Sequence, residues 1–547
     1  MSHRKILVTD ALIYANGPVH LGHMLGYVQT DIWSRFQNLR GHECHYVCGA
    51  DTHGTPIMLK AEQLKQSPDQ MVADISAQQL TDFQDFGVVF ASFELSNIAE
   101  NQALTTQAYA KLQANGDIET RTIKQAFDEE KQMFLPDRYV KGTCPCCGAE
   151  GQYSDSCEAC GSTYDGTGGI KNPISVLSGK PPIYKDSEHF FFKLGHYQEF
   201  LKNWTTPEHL QSEVANKLQE WFKEGLQDWD ISRDAPYYGF EVPGAPGKFF
   251  YVWLDAPFGY LASFQKLCER TGLNFNEFWN PDSTTELHHS IGKDITYFHA
   301  LFWPAILRGA GFRTPSKVHT HGYLTINGQK MSKSRGTFIT ARQYLDQGLS
   351  PDYMRYYFAA KLNSNVEDID INFEDFRLRV NADLVGKVVN IASRCAGFIQ
   401  KRFDNKLANQ MAEPELFQQF AQAHVQIAEH YETREFGRAM REIMALADRA
   451  NQFVEQYKPW ELAKSPDKQS EVQQVCTTGI NLFKQLITYL KPVLPYTSLG
   501  AEEFLNAGEL DWASIQTPLL NHTLQPFKPL MMRVEEEKIA GLVVPAT

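Results

Sequence analysis

Two short signatures, 307 positions apart, constrain this chain more than any other feature of it. The first is His20-Leu21-Gly22-His23, just after the turn Asn16-Gly17-Pro18. The second is Lys330-Met331-Ser332-Lys333-Ser334, just after a segment of strand character that ends near Ile326. Two imidazoles at one helix start and two ammonium groups on a Gly/Ser loop suit the holding of a triphosphate while its α-phosphorus is attacked. A fold that uses them in this way must bring the two segments onto one nucleotide. Read singly, each is weak: two exposed histidines at a helix start, or a solvated Lys-x-x-Lys face, are the plain alternatives. The order and setting of the pair make it strong.

Ile6-Leu7-Val8 is a short apolar run of the kind that forms a buried parallel strand. After the break at Gly17-Pro18, the apolar positions Leu21, Met24, Leu25, Val28, Ile32 and Phe36 recur at helical spacing. His20 and His23 then share one face of the first turn, where unpaired N–H groups and the positive end of the helix dipole favour phosphate oxygens. Gly22 leaves room for a flat base to approach the backbone. The second signature follows the β-rich stretch His319–Ile326 and the turn Asn327-Gly328, and it precedes Arg335-Gly336-Thr337. On such a loop Lys330 and Lys333 can reach departing pyrophosphate oxygens, a contact made in the transition state that therefore raises the rate.

At 547 residues the chain is long enough for three or four domains, and 43 % hydrophobic with 12 % aromatic residues supplies ample core. An alternating strand and helix pattern marks residues 1–115 as the first half of a Rossmann-like, doubly wound parallel sheet, its second half being 230–324. The strand His45–Ala50 leaves Asp51 at its C-terminal end, where open α/β sheets bind ligands. Further strands are expected near Phe249–Leu254 and Glu286–Ile291, and a helix from about Lys293. Residues 116–229 read as an insertion, 325–384 as a connector carrying the signature loop, and 385–547 as an all-α helix bundle.

The insertion holds Cys144-Pro145-Cys146-Cys147-Gly148 and Cys157-Glu158-Ala159-Cys160-Gly161. Each Cys-x-x-Cys-Gly knuckle lets two thiolates converge, so Cys144, Cys147, Cys157 and Cys160 are expected to close a tetrahedral shell round one structural Zn²⁺. Cys147 is preferred to Cys146 because it precedes a glycine, as Cys160 does. Cysteines in this pattern indicate a reducing compartment. No run of 18 apolar residues crosses a membrane and no signal-peptide core precedes the first strand, so a cytoplasmic location is expected. The net charge of −13 argues against generic nucleic-acid coating, yet Arg377–Lys406 carries seven Lys/Arg against two Asp, room for a local RNA track.

The paired signatures resemble HIGH and KMSKS of the class I aminoacyl-tRNA synthetases, the second at all five positions. The stretches Ala11–Gly17, Ala50–Pro56, Tyr251–Pro257 and Trp303-Pro304-Ala305 narrow the resemblance to the methionyl branch of that family, and the likeness runs from Lys5 to about Pro529. The resemblance implies that methionine is activated by ATP to methionyl-adenylate and passed to the 3′-terminal ribose of tRNA(Met), initiator and elongator alike. It implies that Leu12, Asp51, Trp253, Ala256, Pro257, Tyr260 and His299 contact methionine. It also implies that His20, Gly22, His23, Gly292, Asp294 and Lys333 contact ATP, with Asp294 on the ribose and Mg²⁺ accompanying the nucleotide. The residues themselves agree in part. Asp51 offers an anion for an ammonium group, and a thioether favours an aromatic cavity for which Trp253, Tyr260, Tyr14 and Phe302 are candidates.

By the same resemblance Asn390, Arg394, Pro459 and Trp460 read the CAU anticodon, although composition alone would put Trp460 in the core. Arg233 is the candidate for the tRNA acceptor end. Asp10, Ile13, Thr52 and Cys395 depart from the family's usual residues, the first three beside the pocket. Rival readings are another class I synthetase of cysteinyl or leucyl type, a non-tRNA adenylate-forming ligase, and a non-catalytic tRNA-binding paralogue. A cysteinyl enzyme would hold its zinc in the amino-acid pocket, a small-molecule ligase has no need of the C-terminal helices, and the paired His and Lys residues speak against an inactive paralogue. Because no C-terminal OB-like dimerisation domain is seen, a monomer is expected.

Overall fold

The computed structural model describes residues 3–154, 157, 159–160, 162, 169–331 and 338–542. The apolar run Ile6-Leu7-Val8, at most 1 % exposed, forms the heart of β1 (Lys5–Asp10). Around it lie β2 (Ile13–Tyr14), β3 (Glu43–Asp51), β4 (Ser92–Leu95), β5 (Glu286–Gly292) and β6 (Lys317–His321). They make one parallel sheet in the order β6-β5-β1-β3-β2, with β4 also paired to β3. The chain moves from β1 to β3 on one side, and β5 and β6 fill the other. The strand order therefore switches beside β1, where such sheets open a crevice at their C-terminal ends. Asp10, Asp51, Gly292 and His321 are the last residues of their strands and line that edge.

Helix α1 (Leu21–Leu39) covers one face of the sheet through Leu21, Met24, Leu25, Val28, Ile32 and Phe36, all buried as their spacing requires. Burial of such a side chain contributes about 1.5–3 kcal/mol. α2 (Phe258–Thr271) packs against β3 and β4 on the other face. The insertion is built on a long antiparallel pairing of Ile118–Asp128 with Ile183–Phe192. The cysteine knuckles lie on a smaller sheet made of Val140–Thr143, Gln152–Tyr153 and Lys171–Ser175.

One expectation is corrected here. The run Phe249–Leu254 is not a strand throughout: Lys248–Phe250 is extended, and Val252–Asp255 is a one-turn helix. A short apolar aromatic run does not distinguish a strand from a buried helical turn by pattern alone. Here Asp255 is pulled inward by a buried hydrogen bond to His53. The helix expected from Lys293 begins as a 3₁₀ turn, Lys293–Ile295. It widens over Phe298–Phe302 and becomes regular only at Trp303–Ala310, which starts beside Pro304.

Beyond residue 385 helices take over: α3 (Val389–Arg402), α4 (His424–Glu432), α5 (Phe436–Tyr457) and α6 (Gln469–Leu490). α6 is the central helix of this bundle, buried on every side from Val475 to Leu490 and packed against α3 and α5. Among the described residues no helix is long and apolar enough to cross a membrane.

Candidate active site

His20 and His23 hold the start of α1 together as a reciprocal cap. The His23 backbone N–H donates to His20 Nδ1 at 3.3 Å, and the His20 N–H donates to His23 Nδ1 at 3.4 Å. Their rings stack with centroids 3.5 Å apart. Burial, and then the neighbouring His20, pull the His23 pKa down to about 3, so the imidazole is neutral at pH 7. This fulfils a need that Ser or Asp serves at most helix starts, and it uses Nδ1 of each ring.

The second signature comes back to the first. An added Cβ on Gly22 would lie 3.2 Å from Met331 Sδ and 2.9 Å from the His20 ring, so glycine is what lets these segments close. On the far flank, His20 bridges to Thr340 in antiparallel fashion, the Leu21 N–H donates to the Ile339 carbonyl at 3.0 Å, and the Ala341 N–H donates to the Val19 carbonyl at 2.9 Å. Phe338 packs edge-on to His20 at 5.1 Å. Both flanks of the Lys-Met-Ser-Lys-Ser loop therefore rest on His20–Gly22. The Lys330 backbone pairs with Thr325; Lys333 lies outside the described residues.

Beside this junction is a pocket of about 110 Å³ lined by Leu12, Asp51, Trp253, Ala256, Pro257, Tyr260 and His299, together with Ala11, Ile295 and Phe298. Seven of the eight residues expected to meet methionine thus line one cavity. Tyr14 does not: its hydroxyl donates to the His53 carbonyl at 3.0 Å, behind Asp51. Phe302 is buried against Trp229, outside the lining. Ala11, Ile295 and Phe298 were not anticipated, although Phe298 adjoins His299 and shared its signal. Gly259 was missed too; a Cβ there would come within 2.9 Å of Leu12 Cδ1, so the glycine sets where Leu12 can sit.

The polar groups of the pocket are few and placed. His299 Nδ1 faces the Ile295 carbonyl at 3.2 Å and so carries the proton, which leaves Nε2 to accept from the Tyr260 hydroxyl at 3.0 Å. Burial draws its imidazolium down to about 4, so the ring is neutral. Asp51 Oδ1 is buried without a hydrogen-bond partner among the described residues. Burial, and then the nearby Asp255 carboxylate, push the Asp51 carboxyl up to about 8. Asp255 is itself tied to His53 Nδ1. Burial opposes a charge on His53, but Asp255 outweighs it and raises the pKa.

Gly292 ends β5 with Asp294 folded over it; an added Cβ would lie 2.6 Å from Asp294 Oδ1. Arg233 stacks on Tyr251 at 3.9 Å, and Tyr251 in turn stacks on Trp253 at the pocket mouth. The three departures near the pocket flank its lining without joining it. Asp10 accepts from Thr30 Oγ1 at 2.8 Å, Thr52 Oγ1 meets Ser96 Oγ at 2.9 Å, and Ile13 is buried beside Ala50.

Two further clusters lie elsewhere. Cys144, Cys147, Cys157 and Cys160 bring their sulfurs within 4.8 Å of one another, with Cys144–Cys160 at 3.8 Å and Cys147–Cys157 at 3.6 Å. A tetrahedral shell with Zn–S near 2.3 Å separates its sulfurs by about 3.8 Å, so the four thiols fit a metal. Cys146 is exposed and outside the group. In the helical region Arg394 lies over Trp460 at 4.5 Å and pairs with Glu455 at 2.7 Å; Asn390, one turn back on α3, donates to Asn451 at 3.2 Å. Pro459 is buried and starts the short helix Pro459–Leu462. Cys395 is buried where Gly479 makes room, since a Cβ on that glycine would come within 2.5 Å of its sulfur.

The family model for class I tRNA synthetases of type M matches residues 6–396, and that for the anticodon binding domain of methionyl tRNA ligase matches 406–535. The chain belongs to the methionyl class I tRNA synthetases. It is a ligase that activates methionine and charges tRNA with it. The fold is also that of the Mycobacterium tuberculosis methionyl-tRNA synthetase in three solved structures. The structure bound by methionyl-adenylate matches with 22 % identity and a TM-score of 0.79, over 96 % of this chain and 100 % of that one. A second methionyl-adenylate complex gives 23 % and 0.78, over 96 % and 99 %. The free state gives 22 % and 0.74, over 97 % and 99 %.

Proposed function

We propose that the crevice carries out in-line attack of the methionine carboxylate on the α-phosphorus of ATP, giving methionyl-adenylate and pyrophosphate. The tRNA terminal 2′-hydroxyl then attacks the adenylate carbonyl. The observation that carries this reading is the meeting of both flanks of the Lys330–Ser334 loop with His20–Gly22, together with a pocket into which Asp51 brings an oxygen, Oδ1, that has no hydrogen-bond partner among the described residues. A carboxylate nucleophile is already ionised, so positioning and neutralisation of phosphate charge supply the rate enhancement. Asp51 receives the methionine ammonium group. Leu12, Tyr260 and Trp253 enclose the thioether with Ala256, Pro257 and His299, and Tyr14 steadies the segment behind Asp51. His20, Gly22 and His23 take the phosphates, Gly292 and Asp294 the ribose side, and Lys330 and Lys333 the pyrophosphate as it leaves. Mg²⁺ accompanies ATP and adds positive charge when bound.

The same reading assigns Cys144, Cys147, Cys157 and Cys160 to one structural Zn²⁺, whose closed shell leaves no position for substrate. Arg233, at the pocket mouth, meets the acceptor end, and Asn390, Arg394, Pro459 and Trp460 meet the CAU anticodon of initiator and elongator tRNA. The division into residues 1–115, 116–229, 230–324, 325–384 and 385–547 belongs to this proposal, as do a monomeric state and a cytoplasmic location. Methionine-dependent exchange of pyrophosphate into ATP tests it: exchange is expected with methionine. Better exchange with leucine or cysteine would overturn the assignment.

A further inference from the structure

Away from the active site, a cavity of about 670 Å³ separates the sheet from the helical region. β5, β6 and α1 form one wall; the turn from α4 to α5, residues Glu432–Arg434, forms the other. Arg434 points into it with only 5 % of its surface exposed, from a left-handed backbone with φ of 60°. Its Nε, Nη1 and Nη2 have no hydrogen-bond partner among the described residues. The guanidinium lies over the Trp33 ring at 4.7 Å, which is an electrostatic contact that uses none of its N–H groups.

The carboxylates nearby are already engaged: Asp10, whose charge acts on Arg434, accepts from Thr30 Oγ1 at 2.8 Å, and Glu213 on the cavity wall accepts from the Val366 N–H at 2.6 Å. Glu432 accepts from Arg4 Nη1 at 2.9 Å, Gln37 Nε2 at 3.0 Å and Arg40 Nη1 at 3.2 Å. Glu286 accepts from Arg4 Nε and Nη2, both at 2.7 Å, and faces His288 Nε2 at 3.0 Å. Two further buried groups on the same walls are also unpartnered among the described residues: Gln29 Nε2, 6 % exposed, and Thr320 Oγ1, 4 % exposed. The guanidinium and the amide nitrogen can only donate, and the hydroxyl can. A desolvated cation that lacks acceptors is costly, and the missing complement is a group rich in lone pairs.

We propose that this cavity is a second ligand site, which takes a small oxyanion such as a phosphate or carboxylate group between Arg434, Gln29 and Thr320. The planar guanidinium fork matches two oxygens of either group. Exposed Lys317 and Asn365 on the rim leave a way in. An anion held there ties the α4–α5 turn to α1, the helix whose first turn carries His20 and His23, and so links the helical region to the active site.

The test is titration calorimetry of the full chain with inorganic phosphate, run on the wild type and on Arg434→Met, which keeps the packing on Trp33 without the fork. The active site is identical in both, so phosphate bound there cancels in the comparison. One saturable phosphate site is expected in the wild type and at least tenfold weaker binding in R434M. R434K, a point charge without the fork, is expected between them. Succinate and adenosine 5′-monophosphate, run the same way, separate the sources: whichever probe binds tightest through Arg434 names the carrier of the oxyanion. Equal phosphate isotherms for wild type and R434M, or no saturable binding of any probe, would overturn the proposal. If R434M fails to fold, Gln29→Leu serves instead; it leaves the charge in place and must weaken phosphate at least threefold, and an unchanged affinity would overturn the site.

Discussion

If the Asp51 pocket takes the methionine ammonium group as proposed, a carboxyl pushed up to about 8 makes its binding pH-dependent. In the empty pocket Asp51 is mostly protonated at pH 7, because burial and Asp255 disfavour its charge. To pair with an ammonium ion it must lose that proton. The folded pKa is raised, so binding strengthens as pH climbs towards 8 and levels off above it. Methionine affinity should therefore rise about tenfold per pH unit between 6 and 7.5; a dissociation constant that is flat over that range would remove Asp51 from the ammonium site. The same logic acts on stability. Ionising Asp51 in the empty fold is unfavourable, so Asp51→Asn should raise the thermal midpoint at pH 8.5 while weakening methionine at least a hundredfold. His23 has the opposite sense, since neutrality there is the resting state and phosphate charge favours the imidazolium.

Among the elements, the cysteine knuckles and the helical face of α3 are self-contained. The knuckles hang on a three-stranded sheet with a small core of its own, built on Leu135, Val140 and Ile170. Such a core depends on the thiolate shell for its shape. With the four-thiolate shell proposed above, Cys157→Ser should lower bound zinc well below one equivalent, read by atomic absorption, and open the strands Val140–Thr143 and Lys171–Ser175 to protease while the parallel sheet stays resistant. Retention of a full equivalent would dismiss the four-thiolate shell. On α3, Arg394 stacks on Trp460 before any RNA arrives. Stacking of a base on such an aromatic is worth about 1–3 kcal/mol. Trp460→Ala is therefore expected to lower tRNA charging roughly tenfold or more with pyrophosphate exchange unchanged, and normal charging would make Trp460 a packing residue.

Across the whole molecule, the proposed reaction requires two signatures 307 positions apart to act on one nucleotide, and the flanks of the second rest on the first. Lys333→Ala should reduce methionine-dependent exchange by about a hundredfold, the scale of one lost electrostatic contact in a transition state, with methionine binding unaltered. Near-normal turnover would exclude it from the reaction. Much of this was legible beforehand because the informative residues are chemically unusual and locally patterned. Two knuckles with trailing glycines, a His-x-x-His helix start and a residue ending a buried strand each mark a place in the fold within a few positions: the cysteines do cluster, the histidines do open α1 and Asp51 does line a pocket. The run Phe249–Leu254 misled because six apolar residues fit a strand or a turn, and the choice was made by Asp255 reaching His53, 202 residues away. The same kind of distance hid Gly259 on α2, where room is needed for Leu12 approaching from the loop after β1. Nothing local to Arg434 revealed that its guanidinium would enter a cavity walled by β5, β6 and α1. Short-range periodicity and side-chain chemistry determined most of the elements, the clustering of four cysteines and the reaction class. Only the tertiary structure decided which unpaired charges face which spaces, because desolvation and long-range packing depend on neighbours that the chain supplies from afar.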